Sequence, residues 1–431
     1  MKNIFKLTSL VLLTTFLSAC TDTDVEPLFD QSVNERTEAL KAQYLDVLTA
    51  PEFGWIGYYS PNKNSGVYTV LTNFDVDGSV LVHSDYDSGS QNKSITYRLD
   101  KTLKIELVFE THAVFHEIFE INNNRNAGEF VFNVLSATDD EVILESKLDY
   151  GDDITILTLT RAVEADWNLE LNYDSIDNLT GTGTESVFRN ILLNNTPIAT
   201  FHFDPLTRLV TIQYLEDGEL KSVSGPILIT KTGFNFLFHL EINGTVLTTF
   251  TFNETKNEYQ NVTDDLLIKY DNIPGIPLDA YDFGVRRNNA RFNYLEPGKS
   301  SFAFNNLYQQ LTGQFTVDTG GFTISRVYFR WLNNGNIPYI EFWIPTSTGN
   351  FSAWYDLNVE VENGIVIFSL TGDTNAPGFI DVALQPLLDA FVRAPSGYYL
   401  KKTGGLLNFS NQTFSMINVD DPTMEINYYD F

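Results

Sequence analysis

From residue 54 onward the chain keeps a two-residue beat broken by turn dipeptides, and no other feature narrows the fold as far. The run 101–110 shows the beat cleanly: Leu103, Ile105, Leu107 and Phe109 fall on one side, Lys104, Glu106 and Glu110 on the other. Such alternation places successive side chains on opposite faces of a strand. Between runs of this kind stand Asp77-Gly78, Asp217-Gly218 and Asn243-Gly244, dipeptides suited to the positive φ angles of a two-residue hairpin. Strands are predicted at 54–59, 67–74, 79–83, 101–110, 129–135, 141–147 and 154–160. Antiparallel strands this closely spaced imply a sandwich or a barrel-like sheet.

Helical signals are few. Ser32 and Glu35 form a capping box, Val33, Leu40, Tyr44 and Leu48 fall near one face, and Pro51 closes a helix over 32–48. Shorter helices are predicted at 185–193 and 301–311, the latter stopped by Gly313, and a late one is entered at Pro386 and ends near Val392. Residues 165–183 and 272–298 look like linkers by their polar and Pro/Gly-containing composition. The expected fold is mainly β, with antiparallel sandwich or barrel-like sheets in two or three units and a few short helices. The units are 32–164, an N-terminal helix plus β domain; 165–271, a second β region; and 272–431, a C-terminal mainly β domain with short helices. Helix, linker and hairpins recur three times in outline, with no period tight enough for a solenoid or propeller.

The first twenty residues carry a separate message. Lys2 and Lys6 precede an apolar run over 7–16, which ends in Leu17-Ser18-Ala19-Cys20. Basic, apolar, small, cleavage point is the order of a secretory signal, and the apolar stretch is too short for a membrane span. Small residues before a cysteine further fit a bacterial lipobox, whose thiol takes a diacylglycerol before cleavage. Residues 1–19 are then expected as the signal peptide and Cys20 as the lipidation site. Cys20 is the only cysteine, so neither a disulfide nor a thiolate metal site competes for it. The alternative is an unmodified signal peptide with an incidental cysteine. No other apolar stretch approaches the ~20 residues of a transmembrane helix. Attachment therefore rests on acyl chains of the palmitate type, each buried methylene contributing about 0.8 kcal/mol. Thr21-Asp22-Thr23-Asp24-Val25-Glu26 resembles the surface-export signal of Bacteroidota lipoproteins; the plainer reading is a solvated acidic tether over 20–31.

Charge excludes whole classes of partner. The formal net charge is −29, and loss of Lys2 and Lys6 with the signal peptide leaves 25 basic against 56 acidic residues. Such a chain repels nucleic acid and anionic bilayers. It suits a soluble ectodomain that binds neutral or cationic ligands.

Chemistry-bearing motifs are scarce. Asn73-Phe74-Asp75-Val76-Asp77-Gly78 resembles half of a calcium loop, but Ser84 stands where a Glu is needed, and a hairpin turn accounts for the same residues. His112 and His116, with Glu117 and Glu120 beyond, have zinc-like spacing for a helix, yet the preceding run alternates as a strand, which favours strand or loop histidines. His83, His202 and His239 are scattered, and His239 shares a face with Asn235 and Glu241. Pairs such as Asp85/Asp87 and Asp152/Asp153 arise by chance among 56 acidic residues, so they carry no argument for glycosidase chemistry. No nucleophile elbow, phosphate loop or dinucleotide fingerprint is present. No catalytic residue, metal or cofactor is assigned. Trp55, Tyr58, Tyr59, Trp343, Trp354 and Tyr355 are candidates for a sugar-stacking platform, against the plainer reading that most of the 59 aromatics fill β cores.

Several stretches together resemble a family of Bacteroidota lipoproteins known as domain of unknown function 4302. They are Gly54-Trp55 with Tyr59; Gly66-Val67-Tyr68 leading to Phe74 and Gly78; Ser84-Asp85; Leu107-Val108-Phe109-Glu110-Thr111 with His116; and Gly128-Glu129-Phe130-Val131-Phe132. A later block holds Thr232-Gly233-Phe234-Asn235-Phe236, Ile242-Asn243-Gly244 and Phe250-Thr251-Phe252-Asn253. The likeness spans roughly residues 30–260. Departures lie at His112, where a Tyr is expected, and after His116, where a Pro is expected. The family has no assigned activity, but the resemblance implies an accessory protein beside outer-membrane nutrient-uptake pairs.

The expected function follows. The chain reads as an outer-membrane lipoprotein, anchored through Cys20 and exposed at the cell surface. It is expected to act by binding, as an accessory ligand-binding or scaffold component of a nutrient-uptake receptor complex with a peptide, protein or glycan ligand. A surface hydrolase and a structural envelope lipoprotein are the alternatives.

Overall fold

The computed structural model describes residues 31–430 apart from 63–64, 87–90, 125–127, 264, 277, 279–287, 293–299, 332–337 and 405–412. Cys20, the signal stretch, most of the acidic tether and Asp87 lie outside the described residues.

Three closed barrels follow one another, each of eight antiparallel strands paired in meander order. The first runs from Trp55–Tyr59 to Ile156–Arg161 and closes where Trp55 pairs with Arg161. The second runs from Phe188–Leu193 to Leu266–Asp271 and closes through Leu193 and Leu266, with the small hairpin of Glu241–Ile242 and Thr245–Val246 set aside from the ring. The third runs from Asn288–Phe292 to Glu425–Asp430, closing at Ala290 and Asp430. The mainly β, antiparallel reading is therefore met by barrels, with five α-helices among the described residues.

Eight strands leave an interior just wide enough for side chains to fill, and here they fill it. In the first barrel Trp55, Tyr59, Val70, Phe109, Phe132 and Leu157 all point inward and are buried. Their outward neighbours Ile56 and Tyr58 are half-buried and exposed, whereas the outward-facing Thr69 is buried as well, so the period-two pattern marks the barrel interior but not every covered outer position. Two hairpins obey the dipeptide rule closely: Asp217 and Gly218 have φ of 52° and 81°, Asn243 and Gly244 of 51° and 77°. These are the paired positive angles of a type I′ turn.

Helices supply the rest of each core. Helix α1 (Val33–Thr49) is capped by Ser32, whose Oγ accepts from Glu35 N at 3.2 Å while Glu35 Oε2 accepts from Ser32 N at 2.8 Å. Its last turn is tied down by Trp55 Nε1, which donates to Leu48 O at 2.9 Å. Helix α2 (Val114–Asn124) packs Val114, Phe115, Ile118 and Ile121 into the first core, with Phe115 stacked on Phe109 at 4.3 Å. Helix α3 (Glu170–Thr180) spans two barrels: Ile176 and Leu179 join the second core, while Leu169, just before it, and Tyr173 pack on the outside of the first. Helices α4 (Phe302–Asp318) and α5 (Gly378–Val392) serve the third core through Phe304, Phe315, Leu384 and Phe391.

Several local expectations change. The run 101–110 is split: Lys93–Lys101 is a strand of its own, and Leu103 sits in the turn before Ile105–Phe109, 98% exposed. Glu106, expected on the solvent side, is buried and pairs with Lys147 at 2.8 Å. The supposed linker 165–183 contains α3, and the helix expected over 185–193 is the strand Phe188–Leu193. The second supposed linker, 272–298, contributes the strand Asn288–Phe292. Helix α4 continues past Gly313, and Pro386 lies inside α5 rather than at its start.

Candidate functional site

The first two barrels meet along a seam centred on Asp85. Its Oδ1 accepts from Thr69 N at 3.0 Å and its Oδ2 from Asn172 Nδ2 at 3.4 Å, while its carbonyl accepts from Arg208 Nη2 at 2.6 Å. One residue thus ties together a strand of the first barrel, helix α3 and a turn of the second barrel. Arg208 is fully buried, with φ of 57°, and its guanidinium lies 5.7 Å from the Tyr68 ring. Gly66 N donates to Thr207 O at 2.7 Å and Tyr68 Oη to Leu206 O at 2.6 Å. Approach this close requires the missing side chain: a Cβ on Gly66 would lie 2.2 Å from Arg208 O.

Beside this seam the barrels leave a cleft of about 180 Å³. Ile56, Tyr58 and Thr69 line it from the first barrel, Asp166 and Leu169 from the segment leading into α3, Asn172 from the first turn of α3 itself, and Leu228 to Lys231 from the second barrel. Thr69 is 3% exposed and Asn172 5%, yet Thr69 Oγ1 and Asn172 Oδ1 have no hydrogen-bond partner among the described residues. The amide orientation follows from Asp85, whose Oδ2 accepts from the Asn172 Nδ2 group, so that the amide oxygen points away from the carboxylate. Two charges stand at the rim. Lys231 Nζ donates to Ala165 O at 3.1 Å, and Asp166 Oδ2 accepts from Val163 N at 2.9 Å. No ion pair joins Lys231 to Asp166 among the described residues. Tyr58, 54% exposed, forms an aromatic lip. The result is a largely aliphatic crevice with one charge of each sign among its lining residues, and the unpaired Thr69 and Asn172 oxygens lie closed to solvent behind it.

A second polar cluster lies elsewhere in the first barrel. Glu129 is 2% exposed; its N donates to Tyr59 Oη and its Oε1 accepts from Leu148 N, both at 2.6 Å. Burial, with nearby Asp149 adding to it, raises the Glu129 carboxyl to about 7. A carboxyl at that value is suited to proton transfer, but this one is enclosed and already engaged.

The residues singled out from sequence fall in several places. Asp75 and Asp77 spend their carboxylates on their own turn: Asp75 Oδ1 accepts from Asp77 N at 3.3 Å and Asp77 Oδ1 from Ser79 N at 2.8 Å. The expectation of strand or loop histidines fails for His116, which lies in α2 and stacks on Phe130 at 4.4 Å. His112, just before the helix, faces Glu120 at 3.4 Å and the His116 ring at 5.5 Å. No group of three metal-ligating side chains occurs among the described residues. His83 is buried and accepts from Asn92 N through Nδ1 at 3.1 Å, whereas His239 is exposed. The aromatic candidates separate: Trp55, Tyr59 and Tyr355 are core residues of two different barrels, and Tyr58 alone among them reaches the cleft. Of the acidic pairs, Asp85 became the organiser of the seam, and Asp153 lies in an exposed single turn. Thr69, Asn172 and Lys231 were missed, since none carries a local motif.

Comparison with known proteins adds a family. No curated protein matches the chain. A solved structure with some likeness is isotype 1 transferrin binding protein B from serogroup B Neisseria meningitidis, at 8% identity and a TM-score of 0.12. The match covers 84% of this chain and spans 65% of that one. The family model described as "Domain of unknown function (DUF4302)" matches residues 25–254, which take in the whole first barrel, the seam, the cleft and most of the second barrel. That is more than half of the 431 residues, and the chain belongs to the DUF4302 family.

Proposed function

We propose that the chain is a lipid-anchored binding protein of the outer membrane, held through Cys20 and exposed at the cell surface. There it serves a nutrient-uptake receptor complex as an accessory component. The observation that supports binding is the cleft between the first two barrels, walled by Ile56, Leu169 and Leu228, with Tyr58, Asp166 and Lys231 also lining it. Hydrolysis has less support, because the carboxyl nearest neutrality, Glu129, is enclosed and hydrogen-bonded.

The anchor rests on the order of residues 2–20. Replacing Cys20 by Ala should move the protein from the membrane fraction to the soluble one, and protease added to intact cells should remove the wild-type ectodomain. A Cys20→Ala chain that stays with membranes would overturn the anchor. Full protection of a protease-sensitive chain would place it on the inner side.

A further inference from the structure

We propose that the outer face of the third barrel carries a docking site for an arginine side chain of a partner peptide, formed by Tyr339, Trp354, Asp356 and Asp373. This inference goes beyond the cleft between the first two barrels and does not rest on it.

Strand alternation builds the site. Strands Arg326–Trp331, Tyr339–Thr346 and Gly349–Glu362 lie side by side. Val327, Phe329, Ile340, Phe342, Ala353 and Tyr355 turn into the barrel core, so the residues between them face out. Pairing sets Tyr339 opposite Asp356 and Glu341 opposite Trp354. The Tyr339 and Trp354 rings, both half-buried, meet edge to face at 6.3 Å and 62° and form an aromatic corner. Asp356 beside it is half-buried, and Asp373 on the neighbouring strand Ile365–Thr374 is exposed. Burial and then the Asp373 charge hold the Asp356 carboxyl above its usual range, so the two anions are near enough to repel. Neither carboxylate makes a hydrogen bond or an ion pair among the described residues.

The same face shows what such groups bind. Arg330 lies over the Tyr328 ring at 4.2 Å and pairs with Glu341 Oε2 at 2.5 Å, and Arg326 lies over Trp343 at 5.4 Å. A guanidinium is planar and weakly hydrated, so it stacks on an aromatic ring while its N–H groups meet a carboxylate. Tyr339, Trp354 and the two aspartates repeat that combination of rings and carboxylates, and no cation of the chain lies over either ring among the described residues. Charge complementarity then selects the occupant. Glu341 already neutralises Arg330, which leaves Asp356 and Asp373 as excess negative charge. A neutral sugar stacks on the rings but leaves that excess in place. A free amino acid brings an α-carboxylate toward it, whereas an arginine within a peptide brings only its guanidinium.

The test follows the tryptophan indole N–H signals of the purified protein by NMR as acetyl-Gly-Arg-Gly-amide is added, with the citrulline counterpart and maltose as controls. The chain has five tryptophans, and the signal of Trp354 is the one lost in Trp354→Phe. That signal should shift saturably with the arginine peptide, with a dissociation constant of about 1–10 mM. Citrulline keeps the shape and lacks the charge, so its peptide should bind at least about fivefold more weakly. The double variant Asp356→Asn, Asp373→Asn should weaken the arginine peptide by a similar factor, and the fold should persist because neither carboxylate has a partner to lose. Equal binding of the citrulline peptide, unchanged binding in the double variant, or no shift of the Trp354 signal at about 20 mM peptide would each overturn the proposal. A shift with maltose and none with the arginine peptide would make this face a glycan platform and overturn it as well. None of these results bears on the lipid anchor or on the cleft, which stand or fall separately.

Discussion

Glu129 shows how one enclosed carboxyl imprints itself on the behaviour of a whole barrel. Burial raises it to about 7 in the folded chain, against an ordinary value of 4.5. Between those values the folded state keeps a proton that the unfolded chain has released. Its contribution to stability is therefore complete below 4.5 and is lost as pH rises through about 7. Urea midpoints measured from about pH 5 to about pH 8 should fall for the wild type relative to Glu129→Gln, which cannot titrate. Parallel pH profiles for the two proteins would refute this. Residue-scale features of this kind were only half legible in the sequence. Glu129 stood in a family-like block and Asp85 in an acidic pair, but neither burial nor partners can be read from a strand pattern. Thr69 and Asn172 lay beyond reach altogether, because they meet Asp85 only through the folding together of segments far apart in sequence.

At the scale of elements, legibility followed the strength of local signals. Helix α1 was foreseen because its capping box and Pro51 punctuate it at both ends. Helix α2 was obscured by the alternating run before it, although Val114, Phe115, Ile118 and Ile121 already hold helical spacing. Helix α3 was read as a linker because it is polar. Its stripe of Leu169, Tyr173, Ile176 and Leu179 is narrow, and two barrels share it. Strand Lys93–Lys101 was missed because four of its nine residues bear charge and face outward or half outward. The link between α1 and the first barrel gives a prediction. Trp55→Phe removes the Nε1 bond to Leu48 O and leaves a gap in a fully buried site, which should cost about 2–3 kcal/mol in chemical denaturation. A loss below about 0.5 kcal/mol would mean that the helix end is held by other contacts.

At the scale of the whole molecule, the first two barrels are joined through buried polar contacts, and the second and third through Val187 N to Pro422 O at 3.0 Å and Phe188 against Tyr399 at 5.5 Å. Gly66 is the most sensitive point of the first seam. In Gly66→Ala the new Cβ would meet Arg208 backbone, not a yielding side-chain tip, so the seam must part by shifting main chain. Scanning calorimetry should then resolve the melting of the first barrel from that of the second; an unaltered trace would show the contact to be unimportant. Sequence reasoning reached an antiparallel β architecture in two or three units because alternation and hairpin dipeptides are local. Ring closure was out of its reach, since the closing partners, such as Trp55 and Arg161, sit at opposite ends of each unit. That closure carries a consequence wherever the protein is concentrated. A ring has no first or last strand, so each barrel withholds the open row of amide and carbonyl groups through which crowded β-proteins recruit one another into aggregates. The only open sheet described has two residues per strand, too little to seed a fibre.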